Sequence, residues 1–354
     1  MKNFQRKDNG FTLVELMVAM VIGLFGVLVM STFYLTFNKD KGRTLNGASA
    51  LNNSKLAMAM VESDLRNAGY GLTANGSMNC ENAYGNYNGQ PIDEFTIDGI
   101  LIKDSTGFNG SDEIVIQYAS GSNGVGGGML RSAYASGGSE MFPSQVFGCN
   151  VRDVILLAHG NSCSFQQVTS VNKTSFKITV QQNNEFNAPT SQLYGWPTFP
   201  IDSYATCIGG YNRLSYRVNG TGSLERATFP GDFESVMDNV VAMKAQYGIS
   251  DNPNVNKVDR WVNATGDWAS TSINATKRRQ IKSIRVGFMM RNTEIENSNV
   301  TQACDPATGD GLCIWHADEN NPPPDVNIQT PADWQKYRYV SLSTIVPLKN
   351  MMWN

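Results

Sequence analysis

From Phe11 to Phe37 the chain runs for 27 residues, FTLVELMVAMVIGLFGVLVMSTFYLTF, with a single charge at Glu15. As a helix rising about 1.5 Å per residue, this segment is roughly 40 Å long, enough to span a bilayer. It is too long for the apolar part of an ordinary secretory signal, and no small-residue cleavage site follows it, so it is expected to stay with the mature chain. Ahead of it lies MKNFQRKDNG, in which Lys2, Arg6 and Lys7 outnumber Asp8. The positive-inside rule keeps this leader in the cytoplasm and sends the rest outward, although Lys39, Lys41 and Arg43 blunt the asymmetry. Glu15 is the anomaly. A carboxylate near the end of a membrane helix costs on the order of 1 to 3 kcal/mol unless something pairs with it.

The stretch GFTLVELMVAMVIG, residues 10–23, closely resembles the class III signal of type IV prepilins and pseudopilins. The resemblance implies cleavage between Gly10 and Phe11 by a prepilin peptidase, N-methylation of Phe11 by the same enzyme, and an assembly role for Glu15, fifth in the mature chain. Physical chemistry supplies the pairing. In a filament core that excludes water, the N-terminal ammonium of an arriving subunit is attracted to Glu15 of a neighbour, a contact that sets axial register. A plain membrane anchor explains the apolar run. It does not explain a basic leader ending in Gly and followed by Phe, Thr, Leu, Val and Glu in that order.

The 354 residues suffice for a large core in one or two domains. A net charge of -3, with 17% charged residues, gives no electrostatic footprint for nucleic acid, and none is expected as a specific partner. Abundant Gly and Asn among Ser and Thr favour turns between short strands. Beyond the apolar run, Ala48, Leu51, Met58, Val61, Leu65 and Ala68 fall on one helical stripe, which ends at Gly69 and Gly71. Residues 11–68 therefore read as one helix, with 11–37 in the membrane or filament core. Gly23, Gly26 and Gly42 either weaken it or allow close helix packing, and the sequence leaves both readings open.

Strand candidates are Glu113–Tyr118, Asp153–Ala158, Ser175–Val180, Tyr211–Val218, Ala242–Tyr247, Ile281–Met290 and Tyr337–Val346. Alternation in RYVSLSTIVPL, residues 338–348, predicts an antiparallel sheet with one buried face. Loops are expected at Ala119–Ser139 and Asn292–Asp333. The expected fold is α+β: a leader over 1–10, the long helix over 11–68, and a β-rich, loop-enlarged head over 69–354 outside the cytoplasm.

Cys80, Cys149, Cys163, Cys207, Cys304 and Cys313 all follow the membrane-length segment, so oxidising conditions allow up to three disulfides in 15 possible connectivities. Proximity in sequence suggests Cys304 with Cys313 and Cys149 with Cys163.

Three further stretches, ESDLRNAGYG (62–71), VAMKAQYGI (241–249) and RYVSLSTIVPLKN (338–350), with IKSIRVGFMMR (281–291), resemble the PilW family of minor pilins. A strand ending in Tyr-Gly, an insertion with Trp261 and Trp268, and an IRVGF-type strand are also similar to the J-type pseudopilin of type II secretion, a usually shorter protein with fewer cysteines. The PilW resemblance implies a low-copy subunit of a type IV pilus that primes assembly and lies at or near the tip. It implies as partners the prepilin peptidase, the major pilin, other minor pilins and a tip adhesin. The implied location is the inner membrane and then the cell surface.

Residues for other chemistry are sparse. Only His159 and His316 are present, so a membrane-tethered enzyme lacks a recognisable nucleophile or metal constellation. Cys304, Cys313 and His316 match no common zinc spacing, and a disulfide explains the cysteines. No cofactor is expected; Asp305, Asp310, Asp318 and Glu319 form an acidic loop for which calcium is the alternative to plain solvation. GVGGG at 124–128 lacks the Lys-Ser or Lys-Thr of a phosphate loop and reads as a flexible loop. Lys277, Arg278 and Arg279 read as a solvated strand edge. An adhesive module in its own right is compatible with assembly.

Overall fold

The computed structural model describes residues 12–72, 80–92, 95–121, 126–182, 184–189, 191, 195–305, 308, 310–315, 328 and 331–352, with the backbone alone at 40, 43, 45–46 and 48–50. One unbroken helix, α1 (Leu13–Leu65), carries the chain into the head. Its membrane-length part is bare, whereas Ser54, Ala57, Met58, Val61, Leu65 and the following Ala68 are buried. Met58, Val61, Leu65 and Ala68 of the expected stripe therefore meet a core, whereas Leu51 is exposed and the side chain of Ala48 lies outside the described residues.

Two antiparallel sheets receive that stripe. The first runs in the order Arg260–Val262, Val240–Ile249, Ile281–Ile295, Tyr337–Pro347, and α1 packs on its last two strands. Strand alternation sorts the faces. Ile284, Val286, Phe288 and Met290 join the core with α1, while Met289 lies on the other face with Ile314, Trp315 and Ile328. Gly287 is needed there, because a Cβ would lie 2.1 Å from Ile314 Cγ2. The insertion around the Cys304–Cys313 disulfide thus covers the sheet face opposite α1.

The second sheet runs Phe233–Asp238, Ser223–Thr228, Tyr211–Val218, Glu113–Ala119, Ile100–Lys103. Buried polar contacts lock it to the first. Asp112 accepts hydrogen bonds from Lys244 Nζ at 2.7 Å and from the Ala245 amide at 2.8 Å, and Tyr247 Oη accepts from the Ile102 amide at 2.6 Å. Both Lys244 and Asp112 are almost wholly buried, so their mutual pairing is what makes either charge tolerable in the interior.

Glu113–Ala119 and Tyr211–Val218 are hydrogen-bonded neighbours, with Ala119 opposite Tyr211, although residues 120–210 separate them in sequence. That insertion folds into a lobe whose sheet takes one edge strand, Asn82–Tyr84, from earlier in the chain and is ordered Asn82–Tyr84, Ser162–Gln167, Val154–His159, Tyr204–Gly209, Gly126–Met129. The lobe also has its own core around Ile155, Leu157 and Phe199. A second cluster, with Leu72 and Phe165, joins it to the chain just beyond α1.

All seven expected strands form, with shifted ends, whereas Ser162–Gln167, Tyr204–Gly209, Ser223–Thr228 and Phe233–Asp238 were not expected. Three other expectations are corrected. The disulfides are Cys80–Cys163, Cys149–Cys207 and Cys304–Cys313, so Cys149 does not pair with Cys163. Cys163 lies opposite Ala158 at the far end of the Val154–His159 strand, while Cys207 lies opposite Ile155 at the end nearer Cys149. Part of the glycine-rich run is a strand rather than a loop, because a Cβ on Gly126 would meet the Phe147 carbonyl oxygen at 1.8 Å. The basic run is not a solvated strand edge: it lies in α2 (Ala275–Gln280), where Arg278 is buried and paired with Asp98.

Replacing Asp112 with Ala leaves Lys244 buried without its closest partner and is expected to cost about 3–5 kcal/mol in urea unfolding. Asp112→Leu combined with Lys244→Met is expected to recover most of that loss. Peptide mapping without reductant should give the three disulfides above; a peptide joining Cys149 to Cys163 would contradict the lobe's topology.

Candidate functional site

The membrane-length part of α1, Leu13–Lys39, is long and apolar enough to cross a membrane, and its large apolar side chains are exposed. Large apolar side chains such as Leu13, Met17, Leu24, Phe25, Phe33 and Phe37 are exposed around its whole circumference. A helix apolar on every side belongs in a bilayer or in a packed helical core, not in water. This surface is the candidate site, and its one acidic residue, Glu15, lies at its beginning.

Thr12 is the N-cap of α1. Its hydroxyl accepts from the Glu15 amide at 3.3 Å, and Glu15 Oε2 accepts from the Thr12 amide and hydroxyl at 2.9 Å each. This capping box satisfies donors that the first helical turn would otherwise leave open, and it holds the carboxylate at the positive end of the helix dipole. Both bonds go to Oε2; among the described residues none is made to Oε1. Gly10 and Phe11 lie outside the described residues.

The opposite end of α1 is fastened to the head. Asp64 accepts from Tyr216 Oη at 2.5 Å and from Arg226 Nε at 3.1 Å. Burial pushes the Tyr216 phenol well above its usual range, which keeps it a neutral donor. Asn350 Nδ2 donates to the Arg66 carbonyl at 3.0 Å and to that of Ala68, so the chain's last helical turn, α3 (Lys349–Met352), caps its first helix. Gly69, at φ +78°, passes so close to Gly99 that a Cβ on Gly99 would lie 2.7 Å from the Gly69 backbone. These contacts give ESDLRNAGYG and RYVSLSTIVPLKN a physical meaning: they are the two halves of one joint.

The other sequence candidates do not assemble a site. His159 is an exposed strand end, and His316, Asp318 and Glu319 lie outside the described residues. Cys304 and Cys313 are consumed by their disulfide. Asp305 and Asp310 face each other through a backbone hydrogen bond, Asp305 N to Asp310 O at 2.9 Å. No group of three or more metal-ligating side chains exists among the described residues. Sequence reasoning missed Thr12, Tyr216, Arg226 and Asp112. Only Thr12 had a local signal, its place three residues before Glu15.

The family model for the type IV pilus-assembly protein W matches residues 210–350, and that for the prokaryotic N-terminal methylation motif matches residues 5–31. Over these residues the chain is of the PilW family, with the N-terminal motif of a type IV pilin. Among solved structures, a type IV-like pilin from Thermus thermophilus is 10% identical and covers 86% of this chain and 97% of its own, with a TM-score of 0.36, too slight to carry an argument. No curated protein matches the sequence. The PilW match begins at Gly210, where the chain returns from the inserted lobe, and ends at Asn350, which caps α1. The lobe therefore lies outside the part this pilin shares with its family.

A version starting at Asp40 keeps the buried stripe and loses the bare apolar surface. It is expected to be monodisperse without detergent and to retain all three disulfides, whereas the chain with Leu13–Lys39 needs detergent. Equal detergent dependence of the two forms, measured by size-exclusion chromatography, would contradict the division of α1.

Proposed function

We propose that this PilW-family pilin is a low-copy minor pilin that is cut between Gly10 and Phe11 by a prepilin peptidase, methylated on Phe11, and assembled through residues 11–37. The carrying observation is a wholly exposed apolar helix that begins in the Thr12–Glu15 box and ends buried in a disulfide-bonded head. Before assembly the helix stores the subunit in the inner membrane with the head, residues 69–354, outside the cytoplasm. On assembly, Glu15 receives the N-terminal ammonium of an adjoining subunit, and that contact fixes axial register. The role calls for no cofactor.

A place at or near the tip, with a part in priming assembly, is supported by where the head is enlarged. The inserted lobe packs beside Leu72, at the end of α1 remote from Leu13, where it obstructs the stacking of a further subunit above. Other minor pilins, the major pilin and a tip adhesin are the partners this position implies.

Glu15→Ala removes the capping carboxylate as well as the docking charge, and leaves the head untouched. The variant is expected to remain in membranes with normal disulfides but to be several-fold depleted in sheared pili, as read by immunoblot of both fractions. Incorporation equal to the unaltered chain would remove Glu15 from assembly.

A further inference from the structure

Sheet edges are open templates for another strand, and soluble proteins blunt them with charge, shortness or a cover. Three of the four edges of the two principal sheets are treated in this way. Arg260–Val262 is three residues long and begins with a cation. Ile100–Lys103 is largely buried, and its Ile102 amide is taken by Tyr247 Oη. Phe233–Asp238 carries Glu234 and Asp238, and the Arg217 guanidinium lies 3.7 Å over the Phe233 ring.

The fourth edge, Tyr337–Pro347, is 11 residues long and has no charge after Arg338. Its start is occupied, since Thr301 Oγ1 donates to the Tyr337 carbonyl at 2.6 Å. From Ser341 to Pro347 no strand pairs with its outer side among the described residues. Register identifies which groups point outward. Leu348 N donates to Lys282 O, so Leu348 and Lys282 form a hydrogen-bonded pair. Alternation then makes Val346, Thr344, Leu342 and Val340 the residues bonded to the neighbouring strand. The amides and carbonyls of Ser341, Ser343 and Ile345 therefore face outward, and Pro347, which has no amide, occupies an outward position where none is missed. The side chains of Ser341, Ser343, Ile345 and Pro347 are exposed and obstruct approach little.

This edge flanks α1, which packs on the same strand, so it adjoins the half of the helix that leads into the bare surface Leu13–Lys39. We infer that Ser341–Pro347 is a strand-addition site that takes an extended, uncharged segment of the neighbouring filament subunit as a further antiparallel or parallel strand. The inference rests on the filament reading given above. Backbone hydrogen bonds supply the affinity. The half-buried side chains of Val340, Leu342 and Thr344 mark the face on which the incoming strand's alternate apolar side chains lie.

The test places a photo-crosslinking side chain at Ser343 in the full chain in piliated cells, with Ser235 on the charged edge as the comparison. The expected product joins position 343 to an extended segment of another subunit bearing a prepilin signal, and position 235 gives none. Ser343→Pro, which removes an outward amide, and Ser343→Lys, which charges the edge, are each combined with the crosslinker at Ile345. Both are expected to cut the product about tenfold, Ser343→Pro through one or so lost backbone hydrogen bonds and Ser343→Lys through the charge it sets against an uncharged strand, with disulfides and melting temperature unchanged. A product confined to this chain's own residues 316–330, or equal yields in the two variants, would overturn the inference. Leader cleavage, measured by mass in the same samples, separates that result from failure of the filament reading itself.

Discussion

A single continuous helix has to satisfy two different surroundings, and the rest of the molecule follows from how its surface changes along its length. From Leu13 to Phe37 every side is apolar and nothing among the described residues covers it. From Ser54 to Ala68 one stripe is buried and the remainder is solvated. Burying side chains such as Val61 and Leu65 stabilises the head by about 1.5–3 kcal/mol each. The bare part gains comparable burial only outside the subunit, in lipid or among other helices. The subunit is thus stable as a fold and unsatisfied as a surface.

The head enlarges without disturbing that arrangement because its additions enter between strands that remain paired. Residues 120–210 leave after Ala119 and return at Tyr211, its partner across the ladder. Residues between Ile295 and Tyr337 leave and return in the same way. Each addition contains a disulfide, which limits the chain entropy of the unfolded state within the loop it closes. The geometry at the joint, where Asn350 caps α1 and Gly69 crosses Gly99, is untouched by either.

Much of this is legible in the sequence, for identifiable reasons. The apolar run and Glu15 are local signals, and so is the period of Met58, Val61 and Leu65. Strands such as Tyr211–Val218 announce themselves by β-branched and aromatic residues. Ser162–Gln167 and Ser223–Thr228 do not, because Ser, Gln, Glu and Arg in them are placed by their neighbours rather than by propensity. Cys304–Cys313 follows from proximity in sequence, but Cys80–Cys163 and Cys149–Cys207 were illegible because they depend on which end of a strand each cysteine meets. Gly126 and Gly128 read as flexible when they are the reverse, positions where backbone from elsewhere leaves no room for a Cβ. The Asp98–Arg278 pair joins residues far apart in the chain, and nothing near either one signals the other.

The central claim is that the bare helix belongs to a processed filament subunit, and intact mass tests it most directly. The mature chain is to be measured from cells with and without the prepilin peptidase. The account predicts loss of the leader through Gly10 and one added methyl on Phe11 in the first case, and the full-length chain in the second. A chain beginning at Met1 in both, in cells that bear normal pili containing it, would contradict the account and leave a membrane-anchored head.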